Sequence, residues 1–159
     1  MIFALDVGNT NIVLGVFGSD YKQLCSWRIA TDNTKTEDEL YVIIRNFFVD
    51  KNIKFEDFDG VVISSVVPKM MFALELLSKK YFKKEPIIVS AGIKTGIKVP
   101  APYNSKLGAD RVVDIVGAKV SGYLPAINVD LGTATTFDCV DEEMNYHGGI
   151  ICPGMNISA

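Results

Sequence analysis

Cysteine and histidine are scarce in this sequence, which holds three cysteines and one histidine among 159 residues. Cys25, Cys139 and Cys152 are odd in number, far apart and set in apolar sequence. This pattern favours buried, reduced thiols over a disulfide framework or a cysteine metal site. The single histidine, His147, is expected to be incidental rather than a ligand or a base.

A strong charge of one sign and long apolar runs are also lacking. The net charge is -3, the isoelectric point is near 5.1 and no basic tract is present, which argues against a nucleic-acid partner. No apolar run approaches the length of a membrane span, and the first residues lack the charged start of a signal peptide. We therefore expect a cytoplasmic protein with no membrane partner. Hydrophobic residues make up 48% of the chain, enough for a packed core.

The first sixteen residues contain an apolar run, an acid, a Gly-Asn turn and a second apolar run, which predicts a β-hairpin. Gly8 permits close approach of backbone amides to a ligand, and Asn9 and Thr10 add polar groups. Asp6 lies where a strand can direct a carboxylate at a metal or a nucleophile. These features suit a phosphate and magnesium site. An ordinary hairpin with a capping aspartate fits the same residues.

Strand and helix signals alternate after the hairpin. Residues 22–30 predict a third strand, and the capping box at residues 36–39 predicts the start of a helix of about four turns. Residues 61–66 read as a buried strand, and Pro68 opens a second helix. The remaining expected elements are short strands at residues 86–90 and 97–99, a loop over residues 100–107, and an apolar helix from Gly108.

Two polar pairs interrupt these elements, and each has two interpretations. Ser64 and Ser65 either serve a ligand or bond to the backbone, the second being favoured. Asp110 is either a helix-start acid with Arg111 as a surface ion-pair partner, or a base beside an arginine that holds an anionic group of a substrate. In the second case Tyr103, just upstream, forms a pocket wall.

An internal repeat is the strongest signal in the sequence. Residues 126–136 have the layout of residues 2–12: an apolar strand, an aspartate, one apolar residue, a glycine and a polar residue. The matched pairs are Asp130 with Asp6, Gly132 with Gly8, and Thr133 with Asn9. Two such hairpins predict duplicated α/β units whose loops face a common cleft and clamp a polyphosphate. Residues 148–154 are expected to add a further turn, either phosphate-facing or merely tight.

Four motifs in this order and spacing resemble the type III pantothenate kinases, bacterial enzymes of coenzyme A biosynthesis related to acetate and sugar kinases, Hsp70 and actin. They are residues 6–10, Tyr103 with residues 108–111, residues 130–134, and residues 148–154. The resemblance covers essentially the whole chain and corresponds to the N-terminal part of the family's chain. It implies an α/β, ribonuclease H-like and actin-like ATPase fold with duplicated halves, the second truncated. Residues 1–111 would form a first domain, and residues 112–159 the incomplete start of a second.

The resemblance also implies roles for individual residues. The ATP-binding residues would be Asp6, Val7, Gly8, Asn9, Thr10, Asn11, Ile12, Val13 and Thr133. The pantothenate pocket would be lined by Tyr103, Gly108, Ala109, Asp110 and Arg111. Asp6 would help to hold magnesium, Asp130 would bind a monovalent cation (potassium or ammonium), and Asp110 would be the general base that takes the proton from the primary hydroxyl of pantothenate.

The implied activity is the ATP-dependent phosphorylation of pantothenate to 4'-phosphopantothenate, the first step of coenzyme A biosynthesis, in a homodimer. Phosphoryl transfer depends chiefly on positioning and charge neutralisation, which two acids and a cation around one polyphosphate would supply. Because the family's chain continues well beyond residue 154, we expect weak or absent activity from these residues alone. A non-catalytic nucleotide-binding or regulatory module and a sugar kinase of the same fold are the alternatives. Asp110 beside Arg111 favours the kinase.

Overall fold

The computed structural model describes residues 1–101 and 107–158, which form two compact units, Met1–Ile88 and Val89–Ala159. Tyr103 and most of the loop expected over residues 100–107 lie outside the described residues. The compact units divide upstream of the predicted domain boundary after Arg111, which falls inside a helix of the second unit. The domain limits of the longer family fold therefore stay a prediction.

The first unit is built on a five-stranded sheet of order β3-β2-β1-β4-β5. Its strands are β1 (Ile2–Val7), β2 (Asn11–Phe17), β3 (Gln23–Ala30), β4 (Gly60–Ser65) and β5 (Ile87–Ile88). β2 runs antiparallel to both β1 and β3, whereas β4 runs parallel to β1. The predicted opening hairpin and the predicted third strand are both confirmed.

Two helical segments connect the strands of the first unit. They are α1 (Glu37–Asp50) and α2 (Met71–Leu77), the latter flanked by a 3-10 turn at Pro68–Met70 and a π-helical turn at Ser78–Phe82. The predicted capping box is confirmed, because the Thr36 amide donates to the Glu39 carboxylate at 2.9 Å and the Glu39 amide donates to the Thr36 hydroxyl at 3.4 Å. The single helix predicted from Pro68 consists of three differently wound segments.

The core of the first unit holds β1 at the centre of its sheet. Phe3, Leu5 and Val7 are 0%, 3% and 1% exposed, and the Phe3 and Phe48 rings meet edge to face at 5.4 Å. Full burial of such a side chain contributes about 1.5–3 kcal/mol. Because side chains alternate along a strand, this core directs Asp6 to the opposite face of the sheet.

The second unit contains an antiparallel sheet of order β6-β7-β8. Its elements are α3 (Ala109–Val120), β6 (Ala126–Leu131), β7 (Ala134–Val140), β8 (Tyr146–Pro153) and the short α4 (Met155–Ser158). Val112 and Ile115 of α3 are buried, and the helix packs across β6 and β7. The other face of the sheet carries apolar side chains that are at least half exposed, among them Ile127, Val129, Leu131 and Ile150.

Two local predictions for the second half of the chain are wrong. The turn expected at residues 148–154 is mostly strand β8, because pairing with β7 outweighs the turn preference of the two glycines. The strand expected at residues 97–99 is a single bridge between Lys98 and Asn145, since Gly96 (φ +86°) and Pro100 flank it. The short strand expected at residues 86–90 is confirmed, although it is limited to the two residues Ile87–Ile88.

The expected burial of the cysteines is also wrong. Cys139 is exposed, while Cys25 and Cys152 are half-buried. Cys139 lies opposite Ile127 in the β6–β7 register, on the face of the sheet that α3 leaves open. His147 lies in an exposed pair with Asp141, with its Nε2 at 2.9 Å from a carboxylate oxygen. Among the described residues, no helix is both long and apolar enough to cross a membrane.

Candidate functional site

The turn between β1 and β2 is a four-residue loop, residues 8–11, closed by pairing of Val7 with Ile12. The Gly8 amide donates to the Asn11 carbonyl at 3.0 Å, and a Cβ at Gly8 would lie 3.3 Å from the same oxygen. Asp6, Asn9 and Thr10 are exposed. The turn therefore presents one carboxylate and two polar side chains to solvent from a tightly closed backbone.

A residue that the sequence analysis missed braces this first turn. The Thr31 hydroxyl, one residue beyond β3, donates to the Gly8 carbonyl at 2.6 Å. The Thr31 amide donates to the Thr10 carbonyl at 2.9 Å. Both bonds link residues more than twenty positions apart, so local patterning gives no signal for them. They fix the backbone of the first turn from the side of the neighbouring strand.

The turn between β6 and β7 repeats the first turn incompletely. Asp6 and Asp130 each occupy the penultimate position of a strand, and both are exposed. Leu131 pairs with Thr135, so this loop has three residues, 132–134, and the Gly132 amide donates to the Ala134 carbonyl at 3.0 Å. The predicted copy therefore holds for the strand, aspartate and glycine, whereas the loop carrying Thr133 is one residue shorter.

The predicted base lies in the first turn of α3. Gly108 caps the helix in an extended conformation, and Asp110 follows as a half-buried side chain. Its carboxylate accepts a hydrogen bond from the Arg111 amide at 2.8 Å. The neighbouring Leu107 and Ala109 are 8% and 7% exposed. The helix start therefore combines a half-buried carboxylate with buried apolar residues on either side of it in the chain.

Arg111 lies at the centre of a buried polar cluster. Its Nε donates to both carboxylate oxygens of Asp138 at 2.9 Å, and its Nη2 donates to Asp138 Oδ1 at 2.6 Å and to the Tyr146 hydroxyl at 2.8 Å. The Tyr146 hydroxyl donates to Asp138 Oδ1 at 2.9 Å. The Asp138 side chain is 1% exposed and that of Arg111 is 12% exposed. The interpretation of Arg111 as a surface ion-pair partner is therefore wrong, because its partner is buried.

The cluster also shifts proton affinities and leaves one edge of the guanidinium available. Hydrogen bonding to Asp138 raises the pKa of Arg111, and burial together with the Asp138 contact raises the pKa of Tyr146 to about 12. No described residue accepts a hydrogen bond from Nη1 of Arg111. Arg111 is thus held in one orientation, with the Nη1 edge able to bind an anionic group.

The glycine motif at residues 148–154 makes room for these features. Gly149 lies opposite Asp138, and a Cβ there would fall 2.0 Å from Arg111 Nη2 and 2.3 Å from a β7 carbonyl oxygen. A Cβ at Gly154 would fall 2.4 Å from two carbonyl oxygens of the turn at residues 132–133. The motif therefore supports the arginine cluster and the second turn by close packing.

A cavity of about 380 Å³ lies between α3 and β6. Its lining includes Asp114, Asn128 and Asp130, and the side-chain Nδ2 of Asn128 is buried without a partner among the described residues. Within residues 1–101 and 107–158, no group of three or more histidine, cysteine, aspartate or glutamate side chains could hold a metal ion. A cation at either aspartate turn would therefore need oxygen ligands from the bound nucleotide or from water.

Comparisons with known proteins show the family to which this chain is related. The sequence profile of the type III pantothenate kinase family matches residues 2–159. Curated proteins named "Type III pantothenate kinase" from Halalkalibacterium halodurans and from an Exiguobacterium species are 50% and 48% identical to this chain. Each match covers 99% of this chain, which spans 62% of the length of each relative.

Solved structures show the same fold at low identity. A putative 2-dehydro-3-deoxygalactonokinase from Sinorhizobium meliloti aligns with a TM-score of 0.57 at 11% identity, covering 95% of this chain and 53% of that one. The ethanolamine utilization protein EutJ from Carboxydothermus hydrogenoformans aligns with a TM-score of 0.54 at 13% identity, covering 96% and 51%. These likenesses bear on the fold alone and confirm the predicted α/β, actin-like ATPase class. With the profile match over residues 2–159, the chain belongs to the type III pantothenate kinase family.

Proposed function

We propose that this chain supplies phosphate-binding and substrate-binding elements of a pantothenate kinase, which transfers the γ-phosphoryl group of ATP to the primary hydroxyl of pantothenate. The products are 4'-phosphopantothenate and ADP. The observation that carries this proposal is the start of α3, where the half-buried Asp110 adjoins an arginine locked in one orientation by Asp138 and Tyr146. A binding module without chemistry has no need of a carboxylate in that position.

The first turn suits the phosphates of ATP. Residues 6–13 provide backbone amides in a closed turn, the exposed hydroxyl of Thr10 and the exposed Asp6 carboxylate. Magnesium prefers oxygen ligands and usually keeps water while sharing one or two carboxylates with substrate phosphates, so these residues fit it. When bound, the ion would neutralise charge on the transferring phosphoryl group. In this proposal Asp6 holds magnesium and Thr133 contacts ATP from the second turn.

The second turn is the proposed cation site. Asp130 is exposed at the end of β6 and lines the cavity beside α3. Its carboxylate would hold a monovalent cation, potassium or ammonium, together with ligand oxygens. The residue assignment follows the family resemblance, and the support from this structure is the matching position of Asp130 and Asp6 at the ends of their strands.

The helix start is the proposed substrate site. Asp110 takes the proton of the attacking hydroxyl, and the Nη1 edge of Arg111 binds the anionic group of the substrate. Gly108, Ala109 and Tyr103 complete the pocket wall in this proposal. Because phosphoryl transfer has a loose transition state, positioning contributes more than the base, and we expect loss of the base to lower kcat by about 10²-fold. A homodimer in the cytoplasm completes the proposal by family resemblance.

A coupled assay of ADP release tests this proposal. The full-length protein containing these residues is assayed with pantothenate, Mg·ATP and either potassium or ammonium, as wild type, Asp110→Asn and the control Asp50→Asn. Asp50 is an exposed acid at the end of α1, so its substitution should leave turnover unchanged. Unchanged turnover in Asp110→Asn would remove Asp110 as the base. No turnover with either cation would favour a binding module, and preference for a sugar in competition would favour a sugar kinase.

A further inference from the structure

Two adjacent serines end β4, and the structure uses them differently. The Ser65 hydroxyl accepts a hydrogen bond from the Val67 amide at 3.1 Å and donates to the Val67 carbonyl at 3.4 Å. Ser64 is 4% exposed, and its hydroxyl has no hydrogen-bond partner within the described part of the chain. Buried hydroxyls in native proteins are almost always paired, so an exception calls for an explanation. The Ser65 hydroxyl thus binds the backbone, whereas the Ser64 hydroxyl has no such bond among the described residues.

The strand register places Ser64 beside the proposed magnesium ligand. In the parallel β1–β4 pairing, Asp6 lies directly opposite Ser64. Paired residues on neighbouring strands share one face of the sheet, with their backbones about 4.8 Å apart. The antiparallel neighbour of Asp6 on its other side is Val13, which offers no polar side-chain group. Ser64 is therefore the polar side chain that the sheet places next to the Asp6 carboxylate.

This position is also where open α/β sheets bind ligands. Asp6 and Ser64 are each the last but one residue of their strands, at the carboxyl ends of the parallel pair β1 and β4. Ligands of such sheets bind outside the carboxyl ends of the strands. A buried donor without a partner at that end is best explained by an acceptor that arrives or turns toward it when the site is filled.

We propose that Ser64 is a positioning residue for the metal site, its hydroxyl donating a hydrogen bond to the Asp6 carboxylate when that carboxylate holds magnesium with ATP. This inference rests on the proposed function, because it needs Mg·ATP at the first turn. Carboxylates that bind metals are themselves oriented by hydrogen-bond donors, whose loss typically weakens metal binding about 10- to 100-fold. Since the Ser64 side chain is already buried, it loses little further freedom on donating that bond.

A matched pair of serine variants of the full-length protein containing these residues tests the inference. Ser78 is a second buried serine, 1% exposed, whose hydroxyl donates to the Lys84 carbonyl at 2.8 Å. Ser64→Ala should leave the melting temperature of the unliganded chain unchanged or raise it, because it removes an unpaired buried group. It should also weaken Mg·ATP binding about 10- to 100-fold in calorimetric titration. Ser78→Ala should do the reverse, lowering the melting temperature and leaving Mg·ATP affinity as in the wild type.

Magnesium-free titration and Asp6→Asn distinguish the possible failures. With EDTA present, Ser64→Ala should bind ATP as the wild type does, because its role acts through the metal-bound carboxylate. Wild-type Mg·ATP affinity in Ser64→Ala would overturn the positioning role alone, and so would a loss of affinity of equal size with and without magnesium. If the wild type binds no Mg·ATP, or Asp6→Asn binds it equally well, the proposed phosphate site fails and the role of Ser64 fails with it.

Discussion

Removal of the Asp138 carboxylate should destabilise the second unit more than any change to an exposed ion pair. Asp138 accepts from Arg111 at 2.6 and 2.9 Å and from the Tyr146 hydroxyl at 2.9 Å, and its side chain is 1% exposed. Asp138→Ala leaves the guanidinium, itself 12% exposed, without its counter-ion. The cost is set by the charge that stays buried rather than by the hydrogen bonds that are lost.

The expected magnitude follows from burial. Removing one partner of a buried ion pair costs about 3–5 kcal/mol. An exposed pair contributes about 0–1 kcal/mol. The control is Glu85→Ala, since the Lys79–Glu85 pair is 3.1 Å long with side chains 44% and 81% exposed. Removing both buried charges, as in Arg111→Met with Asp138→Leu, should cost less than Asp138→Leu alone, because no charge is then left buried.

Hydrogen exchange measures this loss for each unit separately. Amides of β7 and β8 should exchange faster in Asp138→Ala by a factor that corresponds to the lost stability, while amides of β1 should keep their wild-type rates. Urea unfolding of Asp138→Asn, which keeps the side-chain shape, provides a milder variant if Asp138→Ala does not fold. The reasoning is refuted if Asp138→Ala loses no more hydrogen-exchange protection than Glu85→Ala. It is also refuted if the double variant Arg111→Met with Asp138→Leu is less stable than Asp138→Leu alone.

Three further predictions concern packing and pH. In urea unfolding, Gly149→Ala should lower the stability by roughly 1–3 kcal/mol, because the added Cβ would fall 2.3 Å from a backbone carbonyl oxygen. The control is Gly117→Ala in α3, where a Cβ would meet no atom within 4 Å, and this change should stabilise the protein by about 0.5–1 kcal/mol. Equal effects would contradict the packing argument. The folded pKa of Tyr146, about 12, lies above its unfolded value of about 10. The stability that this shift contributes is therefore fully present below about pH 10 and is lost as the pH rises through about 12, by at most about 3 kcal/mol. Tyr146→Phe should lack that part of the alkaline loss in pH-dependent unfolding, and an identical alkaline profile would speak against the shift. In thermal unfolding, Leu5→Ala should lower the stability by about 2–5 kcal/mol and Val129→Ala by less than about 1 kcal/mol. The reason is that Leu5 is 3% exposed whereas Val129 is 50% exposed. Similar losses would disprove the assignment of a covered face to the first sheet and an open face to the second.

The features that the sequence predicted correctly depend on near neighbours. The capping box of α1 needs Thr36 and Glu39, three residues apart, and both of its hydrogen bonds form. The first hairpin follows from alternation over residues 2–17 and a turn of four residues. In these cases the physical cause lies within one turn of helix or one hairpin, so the pattern carries the necessary information.

The features that the sequence could not supply depend on distant partners. Arg111 meets Asp138 and Tyr146, 27 and 35 residues further along the chain. The local sequence does not identify either partner. A buried aspartate within a strand cannot be told from an exposed one until the position of the arginine that binds it is known. The turn predicted around Gly149 was wrong for the same reason. A glycine favours a turn locally, whereas here the glycine is needed because the Arg111 guanidinium lies too close for any side chain.

The repeat shows how packing changes what one pattern does. Ile127, Val129 and Leu131 occupy the positions of Phe3, Leu5 and Val7, yet they are 68%, 50% and 67% exposed instead of 0%, 3% and 1%. The alternation is the same, and the difference is that helices α1 and α2 cover the first sheet. Catalytic and binding groups are effective when the surrounding structure fixes them beforehand. Asp6 of the first turn lies on a strand whose apolar face is covered by helices. Asp130 of the second turn lies on a strand whose apolar face is exposed. In this chain, Mg·ATP affinity should therefore depend strongly on Asp6 and weakly on Asp130. Equal losses of affinity in calorimetric titration of Asp6→Asn and Asp130→Asn would contradict this.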